Sequence, residues 1–159
     1  MELLRLSLQQ VGALASKLAR KVKGSGYKPD LLLGIARGGW VPARLLSDLL
    51  DNYNLANMRV EFYVAPGKTA KKAIVTQRPS VSLRGKKILV IDDVADTGHS
   101  LVAAMKLIRR LKPKEVRVAT LHYKPHSIFK PDYYVATTSK WIIYPWEVEE
   151  FKRQTQKKR

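Results

Sequence analysis

Apolar residues recur at helical spacing from Leu8 through Val11, Ala15, Leu18 and Val22, which predicts an amphipathic helix. Ser7-Leu-Gln-Gln10 in front of them fits a capping box, and Gly24 and Gly26 supply the stop. The pattern then becomes an unbroken apolar run, Leu31 to Ile35, of the length expected for a buried strand. A glycine turn, Arg37-Gly-Gly39, leads into a second amphipathic helix from about Val41 to Leu50. Met58 to Val64 alternates like a strand. From Ala65 to Leu83 the pattern fades into a polar, basic stretch with two prolines, and the expectation is a long mobile loop of the kind that usually carries function. Lys87 to Ile91 is again a buried strand, Ser100 to Leu111 a helix ended by Pro113, and Glu115 to His122 a further strand. Tyr133 to Ala136 adds another, and a short strand and a helix finish the chain. Strands alternating with helices predict right-handed βαβ units. The fold class is therefore α/β, a mainly parallel twisted sheet flanked by helices, with functional loops at the strands' carboxyl ends. Neither an internal repeat nor a linker interrupts residues 1–159, so a single domain is expected.

Composition sharpens this picture in two ways. The chain contains no cysteine, which removes disulfides and thiolate metal sites from consideration. The N-terminal stretch lacks a basic segment followed by a long apolar run, and no run approaches 18 apolar residues, so a soluble, cytoplasmic protein without membrane contact is expected. The balance of 30 Lys+Arg against 13 Asp+Glu gives a formal charge of +17. Such an excess suits nucleic acid, polyphosphate substrates, or a solvated surface. The basic residues are spread along the chain, with local runs at 17–23 and 152–159, and so form no single nucleic-acid stripe.

Against that charge, three of the scarce acids fall within five positions. Ile88 to Leu101 reads ILVIDDVADTGHSL: an apolar strand, Asp92 and Asp93, then Asp96, then Thr97, Gly98, His99 and Ser100 opening a helix. Backbone N–H groups at a helix start, with flanking hydroxyls, form an anion pocket suited to phosphate. A carboxylate pair beside it suits sugar hydroxyls or a Mg²⁺ brought by a phosphorylated ligand. A helix-capping acidic cluster is the bland alternative, and for an isolated Asp-Asp pair the two are evenly matched. A response-regulator receiver domain is rejected, because its acidic pair lies on the first strand and here the pair lies mid-chain.

This stretch resembles the phosphoribosyl pyrophosphate (PRPP) motif of type I phosphoribosyltransferases. Gly34-Ile-Ala-Arg-Gly-Gly39 is similar to that family's pyrophosphate loop, and Ala65–Leu83 falls where the family has its flexible catalytic loop. Leu121-His-Tyr-Lys-Pro125 and Trp141-Ile-Ile-Tyr-Pro-Trp-Glu147 resemble the base-binding strand and hood of the 6-oxopurine branch. The resemblance implies a core over residues 27–125, a hood over 126–150 and a basic tail over 151–159. It also implies transfer of a phosphoribosyl group from PRPP to a 6-oxopurine, giving a nucleoside 5′-monophosphate and pyrophosphate, with Mg²⁺ as cofactor. Asp96 is then the general base, while Asp92 and Asp93 serve the ribose hydroxyls and the metal. Thr97, Gly98, His99 and Ser100 take the 5′-phosphate, and Arg37, Gly38, Gly39 and Lys68 take the pyrophosphate. Lys124, Trp141, Ile142 and Glu147 surround the base, the lysine selecting a 6-carbonyl because an ammonium can only donate. A homo-oligomer, dimer or tetramer, and a cis peptide at Ala36–Arg37 in the liganded enzyme are further implications. The family's Ser-Tyr pair is not found between Ala65 and Leu83. His99, His122 and His126 have no carboxylate at metal-ligand spacing and are read as non-ligands. The competing hypothesis is a regulatory, nucleic-acid-binding protein on the same fold, sensing PRPP or a nucleotide. The presence of Asp96, Arg37 and the hood favours the enzyme and argues against nucleic acid as a partner.

Overall fold

Why the chain builds one sheet with helices on both faces follows from how its apolar strands alternate. In the computed structural model, which describes residues 2–64 and 71–156, the elements run β1 (Leu3–Arg5), α1 (Leu8–Gly24), β2 (Leu31–Ala36), α2 (Trp40–Leu49), β3 (Leu55–Val64) and β4 (Lys71–Gln77). They continue with β5 (Lys87–Ala95), α3 (His99–Arg110), β6 (Glu115–Tyr123), β7 (Tyr133–Thr137), β8 (Trp141–Ile143) and α4 (Val148–Gln156). Leu32, Leu89 and Ile91 face one side of the sheet and pack with Val11, Leu18 and Leu46 of α1 and α2. Leu31, Leu33, Ile88 and Val90 face the other and pack with Leu101, Met105 and Ile108 of α3. Strands buried on both faces need continuous apolar runs, and β2 and the first half of β5 have them. The capping box is formed: Gln10 N–H donates to Ser7 Oγ, and Ser7 N–H donates to Gln10 Oε1 at 2.8 Å.

The main sheet has the order β4-β3-β2-β5-β6-β7, parallel except for β4. β2 connects through α2 to β3 on one side, and β5 connects through α3 to β6 on the other. The winding therefore reverses between neighbouring β2 and β5, and the loops leaving their carboxyl ends diverge to leave a crevice. Those loops are Arg37-Gly-Gly39 and Asp96–Gly98.

Two departures from the sequence reading matter for the site. Lys71–Gln77, expected within a loop, is strand β4, antiparallel to β3 with Val60 opposite Val75 and Phe62 opposite Ala73. Its apolar stretch is only Ala73-Ile-Val75, and its lysines lie on an exposed edge, where charge is normal and weakens the strand pattern. Residues 65–70, Lys68 among them, lie outside the described residues. Leu3–Arg5 forms a short parallel pair with β8, with Leu3 opposite Trp141 and Leu4 opposite Ile142, and three residues are too few to show a period. Among the described residues no helix is long and apolar enough to cross a membrane.

Candidate active site

The acidic strand runs further than its apolar run suggests. β5 stays paired with β6 through Val94–His122 and Ala95–Tyr123, so Asp92 and Asp93 lie inside the strand and their side chains leave on opposite faces. Asp92 lines a cavity of about 530 Å³ together with Asp96, Thr97, Gly98, His99 and Ser100. Phe62 of β3, Lys71 of β4 and Trp141 of β8 complete its wall. Asp93 is directed instead at the glycine turn after β2. A Cβ on Gly38 would stand 2.5 Å from its Oδ2, so only glycine lets the turn lie against this carboxylate.

The floor of the cavity is the start of α3. Gly98 caps the helix with φ of 86°, a left-handed conformation suited to glycine, and no side chain caps the first turn. The first N–H groups of an uncapped helix lack intrahelical acceptors and favour anions. Thr97, His99 and Ser100 flank them, and Lys71 and His99 add positive or protonatable groups to the same wall.

On the other side of the crevice, Gly39 N–H donates to Ile35 O at 2.8 Å, and a Cβ there would strike Ile35 O and Ile91 O. This brings the turn's main chain hard against β2 and β5. The Ala36–Arg37 peptide is cis. Arg37 Nη2 reaches Glu150 Oε2 of α4 at 2.6 Å in an exposed ion pair, and Arg37, Gly38, Trp146 and Glu147 border a second cavity of about 340 Å³.

Two of the purine-reading candidates, Lys124 and Trp141, meet beside Asp96 at the first cavity, whereas Glu147 borders the second. Lys124 is buried, its Nζ 3.2 Å from Asp96 Oδ1 and 5.6 Å from the centroid of the Trp141 ring. Trp141 is 42% exposed, so its face is open for stacking, while Ile142 beside it is buried. Behind them Tyr144 stacks on Trp146 with centroids 4.8 Å apart. The Tyr144 hydroxyl donates to Asp93 O at 3.0 Å, and His122 Nδ1 lies 2.8 Å from the same hydroxyl. Because the hydroxyl proton goes to Asp93, the imidazole must donate from Nδ1.

Charge in this site is out of balance. Burial and the neighbouring Asp93 push the Asp92 carboxyl well above the usual carboxylate range, and burial also raises Asp93, against hydrogen bonds from Val94 N–H and Trp146 Nε1–H that lower it. Burial, followed by repulsion from Asp93 and Glu150, raises Glu147 to about 7, with Arg37 opposing. His122 is lowered to about 4 by burial. Two adjacent carboxylates that both resist ionisation are relieved by a cation. Among the described residues no three metal-ligating side chains converge. The donor set therefore fits Mg²⁺, which takes one or two carboxylates plus substrate oxygens and water rather than a protein cage.

All the described site candidates thus gather at the carboxyl edge of the sheet. A larger hollow, about 730 Å³ between Lys23–Asp30 and Leu50–Asn54, lies at the amino ends of β2 and β3 and is lined by none of them. Three contributors escaped the sequence reading. Phe62 and Lys71 come from strands whose pairing no local pattern discloses, and His126 has no signal in the sequence beyond lying two residues after Lys124.

Comparison with known proteins agrees with this geometry. The model of the phosphoribosyl transferase domain matches residues 2–154, and the chain belongs to that family. A xanthine-guanine phosphoribosyltransferase of Cereibacter sphaeroides is 30% identical over 150 residues, covering 90% of this chain and 86% of that protein. A crystal structure of a purine phosphoribosyltransferase from Pyrococcus horikoshii superposes with a TM-score of 0.83 and 38% identity, covering 92% and 94% of the two chains. The Helicobacter pylori xanthine-guanine-hypoxanthine phosphoribosyltransferase, at 23% identity and a TM-score of 0.79 over 96% and 99%, shows the same fold. Within the family the chain falls in the 6-oxopurine branch of type I phosphoribosyltransferases, enzymes of purine salvage.

Proposed function

We propose that this chain joins N9 of a 6-oxopurine base to C1′ of PRPP, with each predicted residue in the role its position suits. The observation that carries the reading is the convergence of Lys124, Asp96 and Trp141 at the mouth of a cavity floored by an uncapped helix start. The 5′-phosphate lies on the amides and hydroxyls of Thr97–Ser100. The base stacks on Trp141 with its 6-carbonyl accepting from the Lys124 ammonium, and main-chain carbonyls near Ile142 and Glu147 accept from position 2. Asp92 faces the ribose side of the crevice. Asp93, Arg37, Gly38 and Gly39 face the pyrophosphate side, with Lys68 as a further candidate there. As the C1′–O bond to pyrophosphate breaks, a bond from N9 forms, the sugar ring carries transient cationic character, and the N7 proton passes to Asp96. Mg²⁺ would be held by Asp92 with substrate oxygens, with Asp93 adding negative charge from the opposite face of β5, and would supply neutralisation of the departing polyanion. The excess of basic residues attracts such substrates over distance. Family resemblance supports a homo-oligomer in the cytoplasm.

Steady-state assays with PRPP, Mg²⁺ and each of hypoxanthine, guanine, xanthine and adenine test the reading. Turnover with at least one 6-oxopurine and much weaker turnover with adenine is the expected result. No turnover with any base, together with salt-sensitive RNA binding, would favour the regulatory alternative.

A further inference from the structure

The turn after β6 carries a group that the reaction above leaves unused. His126 Nε2 lies 3.1 Å from Asp96 Oδ1, the same oxygen that Lys124 Nζ approaches at 3.2 Å. The two donors differ in setting: the Lys124 side chain is 7% exposed, that of His126 56%. His126 therefore stands at the outer rim, with Asp96 between it and the cavity. Its placement does not depend on a ligand. Lys124 N–H donates to Ala95 O, Ser127 N–H to Lys124 O and Ile128 N–H to Thr97 O, at 2.9 to 3.0 Å. The turn bearing His126 is thus pinned on both sides to the loop bearing Asp96.

We propose that His126 is a positioning residue for Asp96, its Nε2–H holding Oδ1 so that Oδ2 faces the purine N7. The inference rests on the reaction assigned above. A carboxylate turns easily about its last torsion, which has broad, roughly two-fold preferences, and a single donor does not fix its plane. Lys124 by itself leaves that rotation open, and when the base arrives its ammonium is shared with the 6-carbonyl. An imidazole N–H on the outer side keeps Oδ1 engaged at that moment.

Kinetics of the full chain separate this from a merely structural role. His126→Ala is expected to lower kcat by about 10- to 100-fold, the scale of a misplaced catalytic group, with KM for PRPP unchanged. His126→Gln, whose side-chain amide can donate from a similar reach, should recover most of that loss. In an Asp96→Asn background His126→Ala should cost nothing further, because its effect passes through Asp96. Thermal unfolding by circular dichroism checks the fold of each variant, and His126→Leu serves as a second variant lacking a donor if the alanine form does not fold. Wild-type kcat in the variants lacking a donor, failure of Gln to restore it, or an undiminished loss in the Asp96→Asn background each overturns the proposal. An active wild type with those results leaves the phosphoribosyltransferase reading intact, whereas a wild type without transfer overturns that reading and this inference with it.

Discussion

Removing one hydroxyl, by Tyr144→Phe, should strand two buried polar groups. In the wild type the Tyr144 hydroxyl donates to Asp93 O at 3.0 Å and accepts from His122 Nδ1 at 2.8 Å, and both Tyr144 and His122 are almost wholly buried. Phenylalanine preserves the stacking on Trp146 but satisfies neither group. Each buried donor or acceptor left without a partner costs about 1–3 kcal/mol. The carbonyl has a second lone pair and sits at the cheaper end, so the two together come to roughly 2–4 kcal/mol. For a chain of this length that is a fall in Tm of about 5–15 °C. Equilibrium urea unfolding at pH 7 measures it directly. The double variant His122→Leu with Tyr144→Phe removes the stranded imidazole N–H as well. Its loss should therefore fall short of the sum of the single losses by about 1–2 kcal/mol, within the range of coupling energies between touching residues. A Tyr144→Phe protein within about 0.5 kcal/mol of wild type, the range of a surface substitution, or a strictly additive pair, would refute the reasoning.

Four further outcomes are expected. Asp96→Asn should lower kcat by roughly 10²–10⁴-fold with PRPP affinity little changed, and near-normal turnover would remove Asp96 from its assigned role. Lys124→Ala leaves the 6-carbonyl without its donor, a loss on the order of 1–3 kcal/mol. It should reduce kcat/KM for 6-oxopurines far more than for adenine, and an equal loss would mean that the lysine does not read position 6. Gly98→Ala forces an L-residue to φ of 86° and sets its Cβ 2.7 Å from Phe129 N. It should cost at least about 1–2 kcal/mol and weaken PRPP binding, which calorimetric titration would detect. His122 is held at about 4 in the folded chain against an ordinary value of 6.5. A depressed folded value stabilises above the unfolded one and is lost as pH falls, so it should remove on the order of 3 kcal/mol between about pH 6.5 and 4. Asp93 and Glu147, with raised values, act in the opposite sense. The test is therefore the difference in urea stability between wild type and His122→Leu, which should narrow as pH falls over that range and would stay constant if the imidazole were not buried neutral.

The parts of this fold that the sequence discloses are those whose pattern is local. The α1 repeat and the apolar run of β2 carry their own period and fold as they read, and the ILVIDDVADTGHSL stretch gives the strand and helix it suggests, with the strand running on to Ala95. Strand β4 does not, because an edge strand with one neighbour needs few apolar residues and tolerates Lys71 and Lys72 on its rim. The same limit applies within the site. Loops on neighbouring β2 and β5 are legible as phosphate and acid chemistry. Their division of labour is not, since sending Asp92 to the cavity and Asp93 to Gly38 depends on β5 remaining a strand through Ala95. His126 on Asp96 and Tyr144 between His122 and Asp93 are contacts across the fold, and side-chain spacing along the chain carries no trace of either.

The pairing of Leu3 with Trp141 also bears on how the protein is made. As the chain leaves the ribosome, β2 meets β3 and β5 meets β6 across one crossover helix each, and β2 meets β5 once α2, β3 and β4 have been made. The third residue must wait for the one hundred and forty-first. Domains form in the order in which their contacts become available, and contacts between distant residues are the slowest to close. The loops that follow β2 and β5 can therefore come together on a nascent chain before Trp141 is held in place. A chain stalled just short of Trp141 would carry both loops and lack the indole that walls the cavity beside them.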